Sequence, residues 1–126
     1  MAYSNIHPIQ SFAAGAADLA YGTAVKLDTA ASEPTVVQAT TAADDFIGVV
    51  FNPVYVKGQT VGVQREGKAE VIAASTIAYG DKVAPTTGGK FAKASSGAYV
   101  GIAMTAAANN GDFFTMLIQS GTIAGG

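Results

Sequence analysis

The sequence contains no cysteine and no tryptophan, and its single histidine is His7. Without thiols there is no disulfide framework and no thiolate metal site, and the redox compartment stays open. Metal centres need His, Cys or carboxylates clustered at fixed spacing. One histidine and scattered acids form no such constellation, so no metal or cofactor is expected. A catalytic histidine must be held rigidly by a third group; His7, beside Pro8 in a polar stretch, reads as a solvated or interface residue. Charge is scarce too. Asp, Glu, Lys and Arg make up 13% of the chain, against roughly 25% in ordinary globular proteins. No basic run occurs and the net charge is −2, which excludes an electrostatic footprint for nucleic acid. The Tyr and Phe residues lie scattered without basic residues between them, so no stacking platform for single strands is present. No stretch approaches the ~18 uninterrupted apolar residues of a membrane span. The opening MAYSNIHPIQ lacks the basic and apolar regions of a secretory signal.

The usual chemical motifs are missing as well. Neither GxGxxG nor GxxxxGK[ST] occurs, and Gly88-Gly89-Lys90 precedes Phe91 and a strand pattern where a phosphate loop would precede a helix. Asp44-Asp45 sits in a turn, where Asp side chains bond local backbone N–H groups. Glu66 and Glu70 alternate with Arg65 and Lys68 in the manner of a solvated strand surface. No active site can be assembled from these residues, and the chain is read as non-enzymatic.

What the sequence has is a repeat, the feature to find before any other. LAYGTAV (residues 19–25) returns as IAYGDKV (residues 77–83), 58 positions on. DFIGVVF (45–51) is answered by AYVGIAM (98–104), and KGQTVGV (57–63) by NGDFFTM (110–116), both 53 positions on. Five residues are therefore missing from the middle of the second unit. Two units are too few for a solenoid and 126 residues too few for two ordinary domains. The expectation is a single β-domain over residues 18–120 made of two similar halves, with the repeat spanning about 19–63 and 77–116.

Along the chain, short apolar runs alternate with turn signals every ~8–12 residues, the texture of an all-β sandwich or barrel. No segment holds a 3.6-residue apolar period with caps, so helix content is expected to be low. Tyr21-Gly22 and Tyr79-Gly80 precede strands at turns needing positive φ, and the matching positions of Tyr21 and Tyr79 suggest a shared packing task for the rings. Residues 46–51 and 99–104 read as strands buried on both faces. Their core is expected from Phe46, Ile47, Val49 and Val50 in one copy and Tyr99, Val100 and Ile102 in the other. Gly67 marks a bulge or tight bend, and Asn109-Asn110-Gly111-Asp112 an Asn-Gly turn. Residues 1–17 read as an extended N-terminal arm with weak intrinsic order, and residues 121–126 as a flexible tail. Ile6, His7, Pro8, Ile9 and Phe12 are the arm's candidate contacts. Pro8 favours an extended path, and the apolar residues want a partner surface, which is either another protein or the arm's own subunit or oligomer neighbour.

Taken together, the AYG starts, DFIGVV, KGQTVGVQREGKAEV, and the second block IAYGDKV, AYVGIAM and GDFFTMLI make a pattern that resembles the small capsid cement, or head decoration, proteins of tailed bacteriophages. The resemblance runs from about Ala14 to Gln119. It implies a compact β subunit that binds the outside of a phage head and strengthens the shell. The partner implied is the major capsid protein and the assembly often a homotrimer, on the outer capsid surface of a virion made in the host cytoplasm. The family brings no catalytic residues to carry over. One departure stands out: NPVYV (residues 52–56) occupies the place of the small-residue TAAAN (residues 105–109), an elaboration suited to a subunit contact. The other reading is a non-catalytic β-domain of a phage fibre or surface array that binds carbohydrate or another protein. A sugar platform wants clustered aromatics, and the lack of tryptophan counts against it.

Overall fold

Turns in this chain are set by glycines that accept left-handed backbone, and strands by the Val-, Ile- and Phe-rich runs between them. The computed structural model describes residues 9–16, 18–41 and 46–123. Ten strands follow one another: β1 (Ile9–Ala14), β2 (Ala24–Leu27), β3 (Thr35–Gln38), β4 (Phe46–Val50), β5 (Thr60–Gln64), β6 (Gly67–Ile72), β7 (Lys82–Pro85), β8 (Phe91–Lys93), β9 (Gly97–Ala103) and β10 (Phe113–Ile123). One 3₁₀ turn, Thr87–Gly89, is the only helical element among the described residues. The first five strands close a barrel in the order β1-β3-β2-β4-β5, and the last five form a sheet ordered β6-β10-β9-β7-β8.

Read round the ring in the opposite sense, the second order is the first, with β6 to β10 standing for β1 to β5, and the registers correspond. Val25 faces Gly48 across β2–β4 as Val83 faces Gly101 across β7–β9. Val50 faces Val63 as Ala103 faces Met116. The lone bridge Leu19↔Val54 recurs as Ile77↔Ala107. Even side-chain substitutes for backbone partners recur: Asn52 Oδ1 accepts from Gly62 N, and Thr105 Oγ1 accepts from Thr115 N. Gly22 and Gly80 have φ of 85° and 88°, as the paired turns require. Gly48 and Gly101 are glycine for another reason, since a Cβ on either would run into the neighbouring strand. The five missing residues are lost in two places, between Pro85 and Phe91 and between Phe91 and Gly101.

The repeat is longer than the sequence disclosed. The stretch expected as an arm is extended, but from Ile9 to Ala14 it is a barrel strand of its own subunit, antiparallel to β5 from Ile9↔Gln64 to Ala13↔Thr60. It also runs parallel to β3 at Ala14↔Val36. Its counterpart is β6, whose continuation bridges Ala73 to Phe91 in the same parallel sense. The halves therefore run from β1 through β5 and from β6 through β10, with Gly67 (φ 86°) bending the chain between them. At the other end, strand β10 carries Gly121, Thr122 and Ile123 into pairing with β9, past a bulge after Ile118, so the first residues expected as tail are strand.

Each half has its own core. Ala14, Leu19, Val25, Val36, Val50, Val54, Val61 and Val63 fill the first barrel, joined by half-buried Phe12 and Ile47. Ala73, Ile77, Val83, Phe91, Ala103, Ala107, Phe114 and Met116 hold the equivalent positions of the second. The second core continues into Ala24, Ala39, Val49 and half-buried Phe46 of the first half. This explains why β4 and β9 differ. Val49 and Val50 are both buried, one towards each core, whereas in β9 only Val100 of the three expected core residues is buried and Tyr99 and Ile102 are half-exposed. The outer face of β4 is covered by the second half; among the described residues nothing equivalent lies on that of β9.

Candidate interaction surface

Three aspartates, Asp28, Asp81 and Asp112, are occupied in building turns. Asp81 accepts from Ala78 N at 2.9 Å and lies 3.8 Å from Lys93. Asp112 accepts from Asn109 N at 3.0 Å. Glu70 accepts a hydrogen bond from the Tyr21 hydroxyl at 3.1 Å. Burial, and then the hydrogen bond and negative charge of Glu70, raise the Tyr21 pKa above its ordinary 10.0. No group of His, Asp and Glu able to hold a metal occurs among the described residues. Asp44 and Asp45 lie outside them, as do Ile6, His7 and Pro8.

Among the described residues, the large exposed apolar side chains are Leu27, Phe51, Tyr55, Val56, Tyr79 and Phe113. Three aromatics meet where the halves join: Tyr21 has ring centroids 6.4 Å from Phe51 and 6.0 Å from Phe113. Beyond Phe51 the chain enters the segment NPVYV. Gln59 holds it from within, Oε1 accepting from Tyr55 N at 3.0 Å and Val56 N at 3.3 Å while Nε2 donates to Pro53 O at 3.3 Å. A clamped backbone leaves Tyr55 (69% exposed) and Val56 (64% exposed) facing solvent. Asp112 takes the same role in the second half, where the presented residues are Ala108 and Asn109. An exposed tyrosine and valine on a loop held by hydrogen bonds present apolar area whose ordering against a partner would cost little.

Of the candidate contacts, Ile9 lies half-buried at the end of β1, and Phe12 packs half-buried against the first core. They belong to the barrel wall. Phe12 also lines a surface groove of about 560 Å³ with Leu27, Asp28, Glu33, Pro34 and Thr35. The rings of Tyr21 and Tyr79 do not share a packing task. Tyr21 sits in the aromatic cluster, while Tyr79 is 74% exposed; the backbones are equivalent and the surroundings are not. Sequence reasoning named NPVYV from its mismatch with TAAAN, but it missed the Leu27–Pro34 groove because no local pattern marks it.

An all-β domain with exposed apolar side chains, surface grooves and no group of metal-ligating residues among those described has the make-up of a structural protein. The particular family is given by sequence: residues 1–119 match the model described as structural cement protein (E217 gp24/Pam3 gp6), and the chain belongs to that family of phage virion proteins. No curated protein matches the chain. Among solved structures, it is similar to the N base of head fiber gp8.5 of bacteriophage phi29, at 18% identity and a TM-score of 0.72 over 88% of this chain and 92% of that one. That likeness is one of fold.

Proposed function

We propose that this protein is a decoration protein that binds the outer surface of a phage head, contacts the major capsid protein as a homotrimer, and stabilises the shell. The observation that carries the reading is membership of the structural cement family over residues 1–119. The surface supports it: Tyr55 and Val56 stand exposed on a loop clamped by Gln59. The segment before β1, with Ile6, His7 and Pro8, is the second proposed contact, and it precedes Ile9, the first residue of β1, in the chain. A segment of this kind can add to a sheet edge of a neighbour, with main-chain bonds giving affinity and pockets giving specificity. The fold likeness to a head-fiber base supports one variant reading, a base domain that seats a fibre on the head.

The test is co-sedimentation with expanded and unexpanded heads. The full chain is expected to pellet with expanded heads. Deleting residues 2–8, or replacing Tyr55 and Val56 by Ser, is expected to weaken binding about tenfold or more, the range for loss of interface anchors. Absence of binding to either kind of head overturns the reading, and undiminished binding by both variants overturns the assigned contacts.

A further inference from the structure

Inside the chain, one half docks on the other through a defined pair of surfaces. The first half presents Tyr21, Gly22, Thr23 and Gln38; the second receives them with Glu70, Val71, Gly89 and Phe113. A Cβ on Gly22 would stand 3.0 Å from Glu70 O and 3.4 Å from Val71 Cα, and one on Gly89 would run into Thr23 and Gln38. The ring of Phe46 crosses that of Phe91 at 6.1 Å. The first half thus sits across the seam between β6 and β8, where the second sheet is closed only by the bridge at Ala73 and Phe91.

The registers give every one of these residues an equivalent. The receiving set maps onto Ser11, Phe12, Pro34 and Thr60 of the first half. All four line surface grooves beside the matching seam between β1 and β3. The presenting set maps onto Tyr79, Gly80, Asp81 and Lys93 of the second half, and none of these is buried. A Cβ on Gly80 meets nothing within 4 Å. The molecule therefore carries one docking contact in use and both members of the same contact unused.

We infer that the second half of one copy docks on the grooved seam of the first half of another, head to tail, repeating the contact that joins the halves within each chain. Charge favours this occupant. Where the used presenting face has Ala24 and Gln38, the unused one has Lys82 and Lys93. Where the used seam has Thr86, the unused one has Asp28, with Glu33 in the adjoining insertion, and both acids line the groove. Asp81 on the presenting face is offset by Lys93 at 3.8 Å, and Lys57 shares an adjoining groove with Asp28 and Glu33, so the presenting face stays positive through Lys82 and the seam stays negative by one of its two acids. Opposite charges on two surfaces built on equivalent backbone positions steer and register an encounter. Because the two surfaces differ, the contact is heterologous and builds a closed ring or a filament. The inference rests on the homo-oligomer part of the reading above and is independent of capsid binding.

The test uses the full chain in solution, with sedimentation velocity over a range of concentrations. D28K/E33K and K82E/K93E are each expected to weaken self-association by about tenfold or more, and an equimolar mixture of the two to restore it, since each then offers the charge the other lacks. The absence of native cysteine allows a second readout. By analogy with the Tyr21–Phe113 contact, T60C and Y79C mixed under oxidising conditions should give linked dimers, while either variant alone should not. A wild-type chain that is monomeric at all concentrations overturns both this inference and the homo-oligomer. An oligomer unchanged by both charge variants, with no linked dimers, leaves the homo-oligomer standing and overturns the pairing of surfaces.

Discussion

Two glycines with nearly the same backbone have different tasks. Gly22 and Gly80 both hold φ near +85° to +88°, where a side chain costs about 1–2 kcal/mol. Gly22 additionally lies against Glu70 O, the Phe113 ring and Val71 Cα, whereas Gly80 faces open space. Gly22→Ala is therefore expected to destabilise the protein by about 1–3 kcal/mol more than Gly80→Ala, the usual cost of overpacking, as read from urea unfolding midpoints. Tyr21 supplies a pH dependence at the same junction. Its pKa is raised in the fold by burial first, and by Glu70 second. A raised folded-state pKa means that the native state holds the proton more tightly than the unfolded chain. The contribution is fully present below the unfolded value of about 10 and is lost as pH rises through the folded value. Unfolding midpoints should therefore fall more steeply above about pH 10 in the wild type than in Tyr21→Phe.

At the scale of the element, β1 decides where the domain begins. It pairs with β5 over five residues and closes the barrel against β3. Deleting residues 2–8 removes nothing that these pairings use, so the variant should keep its far-UV circular dichroism and a cooperative melt. Deleting residues 2–14 strips a wall from the first core, exposes Val61 and Val63 and leaves two unpaired strand edges, the usual template for aggregation. That variant should be insoluble or unfolded, as gel filtration would show. The alternation of β6, with Ala69 and Val71 buried between exposed Lys68 and Glu70, was legible as a half-solvated strand. In β1 it was not, because IQSFAA does not alternate: Ile9 and Phe12 are three apart, with polar Gln10 and Ser11 between them and two alanines after. Its partner β5 lies some fifty residues further along the chain, a distance over which no local pattern reports.

For the whole molecule, the two halves are not independent units. The second core includes Ala24, Ala39 and Val49 of the first half, and Phe46 packs on it. Separating the chain at Glu66 would uncover that layer along with the Phe46–Phe91 ring contact. Heat or urea should therefore unfold the intact protein in one transition, with far-UV circular dichroism and tyrosine fluorescence coincident. Residues 67–126 expressed alone should lack a cooperative transition, and regain one when mixed with residues 1–66. The half-open edges of β6 and β8 explain the asymmetry: the first half covers them, as exposed strand edges must be covered somehow.

The sequence by itself determined the all-β class, the positions of the turns and the existence of two matching halves. All three are written locally, in glycine at positive φ, in alternation along strands and in motifs recurring in one order. It also marked the NPVYV loop, because a repeat makes a departure visible. Only the tertiary structure decided that β1 belongs to the barrel and which member of each equivalent pair is the more covered: Tyr21 half-buried in the aromatic cluster but Tyr79 in solvent, Val49 in the core but Ile102 half-exposed. The physical reason is that a repeat specifies the same local conformation twice, while burial depends on what lies opposite, and inside this chain only one face of each kind has the other half against it.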